Sequence, residues 1–202
     1  MKKINYFLNF VKSYRLLFLK VLFFEIYYSL RFRDFIPLMK IHNDKNRTDT
    51  VPCVYYFIYM ISKFIKKNRI TSIVDVGSGY GRVVNSLSVL NKIKTYGIEF
   101  DREVHNHSSK IRKKNVRLYC GNIFDFKLSQ FKSNCFILID PFKKSKDSNK
   151  FFSRYEKIFK KKIKYLITVN ILKNKLHKKY QLIYCLYAGK NRCLKIYKIN
   201  SS

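Results

Sequence analysis

The chain has 202 residues and 47% hydrophobic content, enough for one domain with a real core and too apolar for a disordered polymer. Its 43 Lys and Arg against 12 Asp and Glu give a net charge of +31, which excludes polycationic partners and favours anionic ones, a nucleic acid or an anionic membrane surface. Cys53, Cys120, Cys135, Cys185 and Cys193 are odd in number and scattered without a C-x-x-C pair, which argues against a disulfide scaffold or a zinc site and suits a reducing cytoplasm.

Residues 1 to about 35 are aromatic and basic and read as one or two helices. The apolar run "LLFLKVLFFEIYYSL" (16–30) is broken by Lys20 and Glu25, lacks a small-residue cleavage site and is shorter than the roughly 20 residues of a spanning helix. The expectation is a cytoplasmic chain whose N-terminal helices pack on the domain. A peripheral place on the inner face of the membrane is the alternative, since Phe and Leu among basic residues suit an interfacial helix. Residues 1–51 are taken as this extension, with the polar stretch "HNDKNRTDTVP" (42–52) at its end, and residues 52–202 as the main domain.

Pro52 is expected to open a helix running to about Lys67, because Val54, Phe57, Ile58, Ile61, Phe64 and Ile65 form one apolar stripe. Strand-like segments follow at 72–76, 95–99, 116–120, 135–140, 165–170, 181–187 and 193–199, rich in Ile, Val, Tyr and Phe. Helical stripes lie between them, Val83, Val84, Leu87 and Leu90 on one and Phe151, Phe152, Tyr155, Ile158 and Phe159 on another. This alternation implies an α/β fold, a mainly parallel sheet with helices on both faces. "AGKNR" (188–192) is too short for a parallel crossover, so the last two strands form an antiparallel hairpin. His105 and His107, two apart on a helix, point to different faces and suggest no metal site.

Between the first strand and its helix stands "GSGYG", Gly77 to Gly81. Such a turn lets a ligand approach the backbone, and it occupies the usual ligand position of an open α/β sheet. A P-loop would need a lysine that is missing here, and the dinucleotide pattern would place its third glycine where Arg82 stands.

The remaining pattern, Asp75-x-Gly77-x-Gly79-x-Gly81, resembles the first motif of class I S-adenosylmethionine-dependent methyltransferases, with their Rossmann-like seven-stranded sheet. The resemblance covers about residues 52–199 and implies S-adenosyl-L-methionine as cofactor, with Asp75, Gly77, Ser78, Gly79, Tyr80 and Gly81 around it. It implies that Glu99 binds the ribose hydroxyls and that Asn122, with the Ile123 N–H, meets the adenine; Asp125 is the alternative to Asn122. Asp140 and Phe142, in "IDPF" after the fourth strand, fall at the acceptor-side motif. That tripeptide is similar to the Asp-Pro-Pro-Tyr motif of amino-methylating enzymes, from which it departs at Phe142 and Lys143. With His42-Asn43-Asp44 and Pro52, it also resembles small bacterial methyltransferase-like proteins of unassigned substrate.

Methyl transfer of this kind aligns acceptor and donor and needs no metal. Tyr80 and Phe142 are candidate aromatic walls for a sulfonium, and His42, Asp44 or Thr50 are expected to line the pocket. Residues 143–164 carry ten basic residues against Asp147 and Glu156, placing positive charge at the acceptor side. The expected acceptor is therefore anionic or anion-associated: RNA, a protein amine, or a glycan or lipid precursor. Two other readings stand beside this one, a non-catalytic module binding RNA or an anionic membrane and an NAD-dependent oxidoreductase.

Overall fold

The computed structural model describes residues 14, 17–34, 38–41, 49–170, 180–189 and 192–200. The elements are α1 (Phe18–Phe32), α2 (Tyr55–Lys67), β1 (Ser72–Val76), α3 (Arg82–Asn91), β2 (Lys94–Glu99), α4 (Arg102–Lys110), β3 (Val116–Cys120), β4 (Cys135–Ile139), α5 (Ser145–Lys162), β5 (Tyr165–Val169), β6 (Tyr180–Gly189) and β7 (Arg192–Ile199). Two 3-10 turns, Ile123–Asp125 and Leu128–Gln130, link β3 to β4.

All seven strands join one sheet in the order β3-β2-β1-β4-β5-β7-β6, and β1 to β5 are parallel to one another. β7 runs antiparallel to both β5 and β6, so the expected hairpin is present with β7 inserted between them. β1, β4 and β5 lie in the middle, mostly apolar and buried along nearly their whole length, as strands covered on both faces must be. Successive residues feed opposite faces. Ile73, Cys135 and Ile137 join the core under α2 and α3, while Val74, Val76, Phe136 and Leu138 join the core under α5 with Phe151 and Tyr155.

The chain leaves β1 outward through β2 and β3, then returns across the sheet to β4. Strand order reverses between β1 and β4, and ligands of open α/β sheets bind outside the carboxyl ends of the strands at such a reversal. Gly77 follows β1 there, and Asp140 follows β4.

α1 packs on α2, as expected for the N-terminal extension. Phe24, Tyr28 and Phe32 meet Tyr55, Tyr56 and Tyr59 with ring centroids between 4.7 and 5.7 Å apart. Val21 and Tyr28 belong to the same core as Ile73 and Ile137, so no seam separates the extension from the sheet. No helix among the described residues is long and apolar enough to cross a membrane.

Three local differences from expectation have physical reasons. α2 begins at Tyr55 rather than at Pro52, after an extended Val54 that has no side chain able to cap it. The Tyr55 N–H instead donates to the Glu25 carboxylate of α1, which supplies an anion at a helix N-terminus. β4 and β5 each stop one residue early because Asp140 (φ 43°) and Asn170 (φ 63°) turn into the left-handed region. The hairpin strands run longer than expected, out to Gly189 and back from Arg192.

Candidate functional site

A cavity of about 1180 Å³ opens at the carboxyl ends of β1, β2 and β4. It brings together Asp75, Gly77, Ser78, Gly79, Tyr80, Glu99, Asn122, Ile123, Asp140 and Phe142 from four separate stretches of sequence. Gly81 does not line it; with φ 82° it serves as the left-handed residue that starts α3. Asp125 is exposed and outside the cavity, whereas Gly121, Asn122, Ile123 and Phe124 of that turn line it.

The glycine loop is held from three sides. Gly77 has φ 77°, and a Cβ there would come within 3.0 Å of Pro141 Cβ, so the Asp140-Pro141-Phe142 tripeptide rests on the loop. Gly79 has φ 55°, and its Cβ would meet Thr50 Cγ2 at 2.9 Å. From below, the N–H groups of Gly77 and Ser78 both donate to the Ile98 carbonyl at 2.9 and 3.0 Å. The Gly79 N–H donates to Glu99 Oε2 at 2.8 Å and the Gly81 N–H to the Ser78 carbonyl at 2.9 Å. Four loop amides are thus satisfied within the protein and are not free to cradle a phosphate, which removes the main interaction a nucleotide diphosphate would need.

Glu99 is buried, and its other oxygen accepts from the Asp101 N–H at 2.8 Å. Each carboxylate oxygen keeps a second acceptor site, so the group is oriented for further donors rather than used up. Burial pushes its pKa above the ordinary carboxylate value, opposed by the Asp101 and Gly79 amides. Asp75 is 1% exposed, and its Oδ1 has no hydrogen-bond partner. Burial first, and the Glu99 charge second, push its pKa well above the ordinary value. Ser78 Oγ is likewise buried without a partner. These orphaned acceptors call for a donor from a ligand.

Asn122, which lines the cavity, accepts at Oδ1 from the Phe124 N–H at 3.1 Å and so caps the 3-10 turn. Ile123 is buried, its carbonyl held by the Tyr155 hydroxyl at 2.6 Å. Tyr80 meets His107 edge-on with centroids 5.4 Å apart, and both line the cavity. Phe142 lines it on one side and packs on Phe124 and Phe151 on the other, so it is both wall and core. Asp140 is solvent-accessible through the cavity, yet the surrounding protein raises its pKa, with Arg192 opposing. Lys143 and Asp147 are the part of the basic segment that reaches the cavity.

Sequence reasoning missed a second group of residues. Arg82, read there only as a mismatch to a nucleotide motif, is the hub of a buried network. Its Nη1 donates to Glu25 Oε2 at 2.9 Å and to the Cys53 carbonyl at 3.1 Å, and its Nε donates to Asp34 Oδ2 at 2.9 Å. The Tyr55 hydroxyl also donates to Asp34, and the Tyr55 ring lies 3.9 Å beneath the guanidinium. Arg82 lines the cavity, and its Nη2 is buried without a partner. The three groups come from α1, α2 and α3, so only their convergence in space reveals the network.

The described residues 38–41 and 49–51 form a strap beside the cavity, which Leu38, Asp49, Thr50 and Val51 line. Lys40 and Thr50 exchange backbone hydrogen bonds of 3.1 and 2.8 Å, and the Lys40 ammonium reaches Asp101 at 2.9 Å and Glu103 at 2.6 Å. Thr50, one of the three residues expected to line the pocket, does so; His42 and Asp44 lie outside the described residues.

No family model matches the chain, and no curated protein matches it in sequence. Solved structures match its fold. An RNA methyltransferase from Salinibacter ruber, solved with S-adenosyl-L-homocysteine, aligns with TM-score 0.57 at 14% identity, covering 75% of this chain and 95% of that one. A precorrin-6y C5,15-methyltransferase from Geobacter metallireducens aligns with TM-score 0.56 at 11% identity, covering 77% and 93%. At these identities the likeness is one of fold: this chain has the Rossmann-like fold of those methyltransferases, with its terminal antiparallel hairpin.

Proposed function

We propose that the chain is an S-adenosyl-L-methionine-dependent methyltransferase acting on an anionic or anion-associated acceptor, an RNA, a protein amine, or a glycan or lipid precursor. One observation carries the reading. A single cavity holds an orphaned carboxylate oxygen on Asp75, an orphaned guanidinium nitrogen on Arg82 and, on Glu99, a carboxylate fixed by two backbone amides. Those groups suit, in turn, an ammonium, a carboxylate and a vicinal diol, the polar inventory of an aminoacyl nucleoside without phosphate. The spent amides of the glycine loop support the same choice over a nicotinamide dinucleotide.

In this reading Asn122 and the Ile123 backbone meet the adenine, and Tyr80 forms an aromatic wall. The bound cofactor supplies an electrophilic methyl group on a sulfonium. The protein's part is alignment and exclusion of water, worth several orders of magnitude when the attack geometry is fixed. Asp140 stands at the strand reversal, next to the glycine loop through Pro141, where its carboxylate accepts a hydrogen bond from the acceptor's N–H or O–H and turns the lone pair toward the donor. Its raised pKa makes it a better proton acceptor than an ordinary aspartate. Phe142 offers a flat face for a planar acceptor, and Lys143 beside it favours an anionic one.

Isothermal titration with S-adenosyl-L-methionine and S-adenosyl-L-homocysteine tests the proposal. Binding in the micromolar range is expected, weakened about a hundredfold by Glu99→Gln, which loses charge at the diol site. No heat at about 1 mM of either ligand would overturn it.

A further inference from the structure

α1 has two faces of different kinds. The inner one buries Val21, Glu25 and Tyr28 against α2. The outer one leaves Leu19, Phe23, Ile26, Tyr27 and Leu30 exposed, by 75, 62, 56, 48 and 60%. Their spacing of four, three, one and three residues makes a continuous stripe along about three turns. A contiguous exposed apolar strip on a folded domain marks an interaction surface, not ordinary exposure.

Charge identifies what the stripe meets. Lys20, Arg31 and Arg33 are exposed around it. The two acids of this region, Glu25 and Asp34, are turned inward and held by Arg82, so among the described residues of α1 and its C-terminal end no carboxylate is left to oppose those cations. Bases and phosphates would use the cations but gain nothing from Leu19, Ile26 and Leu30, which cannot stack as aromatic platforms do. A second copy would bring another +31 against the first. Apolar side chains rimmed by cations with no anion fit the boundary between acyl chains and anionic headgroups.

We propose that α1 is an interfacial helix that seats the protein on an anionic lipid bilayer, its outer stripe lying at the headgroup level. The stripe runs toward the active-site side: Phe32, Arg33 and Asp34, which close α1, line the large cavity. A seated molecule therefore holds its cavity near the lipid surface. The inference stands on surface chemistry and is independent of the reaction proposed above.

The sequence has no tryptophan, so Phe23→Trp gives a single reporter on the stripe. With full-length protein and vesicles containing about 30% phosphatidylglycerol in phosphatidylcholine, the emission shifts to the blue and is quenched by brominated acyl chains. The protein floats with those vesicles at about 0.15 M salt and not with phosphatidylcholine alone. A Phe23→Ser/Leu30→Ser variant lowers the bound fraction about tenfold, with unchanged circular dichroism and unchanged S-adenosyl-L-homocysteine binding. Three results would overturn the proposal: no emission shift, vesicle binding indifferent to the serine variant, or a homodimer or complex with RNA that the serine variant abolishes while vesicle binding persists.

Discussion

Asp75 shows how one side chain can be poorly placed for the free protein and well placed for a ligand. In the folded chain its carboxyl keeps its proton at a pH where the unfolded chain has lost it, because burial raises its pKa. Its stability contribution is full below about pH 3.9 and is lost as pH rises through the folded value. Asp75→Asn should therefore raise the melting temperature near pH 7 while weakening ligand binding. Binding of a ligand with an ammonium should drive the proton off in the parent protein. Titration enthalpies in buffers of different ionisation heat will then differ for the parent and converge for Asp75→Asn. Gly79 makes a second point. Gly79→Ala should cost about 1–2 kcal/mol for the left-handed backbone alone. The contact with Thr50 Cγ2 adds to that, and combining it with Thr50→Ser should recover only the contact part, as denaturant titration of the double-mutant cycle will show. Both residues were legible in the sequence as a motif, since the Asp-x-Gly-x-Gly spacing is local. That a threonine from a distant strap sits over Gly79 was not, because the motif records the freedom of the backbone but not what fills the space.

Between elements, the Arg82 network decides how the N-terminal helix is held. Its side chain and that of Glu25 are only 7% and 6% exposed, so each needs the other. Arg82→Met should destabilise the protein by about 3–5 kcal/mol, since it strands a buried Glu25. Arg82→Met with Glu25→Leu should recover most of the loss, and thermal denaturation of the set separates a broken pair from a missing one. The strap is tied more loosely. At Asp101 burial works against ionisation, but Lys40 and the Val104 and Glu103 amides outweigh it and hold the pKa below the ordinary value. Lys40→Ala should speed release of S-adenosyl-L-homocysteine about two- to fivefold in stopped-flow measurements, and about 0.5 M salt should do the same to the parent. The strands were read nearly to the residue because β-branched and aromatic runs are bounded by Gly, Asn and Lys. The inward turn of Glu25 was not legible. In sequence it interrupts an apolar run, and its partner is 57 residues away.

Across the whole molecule, net charge outweighs individual ion pairs. Exposed pairs contribute about 0–1 kcal/mol each, whereas a charge of +31 repels itself throughout the surface. The melting temperature should therefore rise by several degrees as sodium chloride goes from about 0.02 to 0.3 M, opposite to a protein held by surface ion pairs. Composition alone made that charge legible, but the place of β7 was not readable from spacing: the short hairpin connection required two antiparallel strands without saying which one would lie inside the sheet. That place has a consequence for biosynthesis. β7 is the last strand of the sheet to leave the ribosome, yet it is the one that joins β6 to β5. Until it emerges, β5 is an open edge of five residues, all but Thr168 hydrophobic, and β6 has no neighbouring strand to pair with. A nascent chain stopped short of Arg192 would therefore present a sticky edge to chaperones, one that only the arrival of β7 can cover.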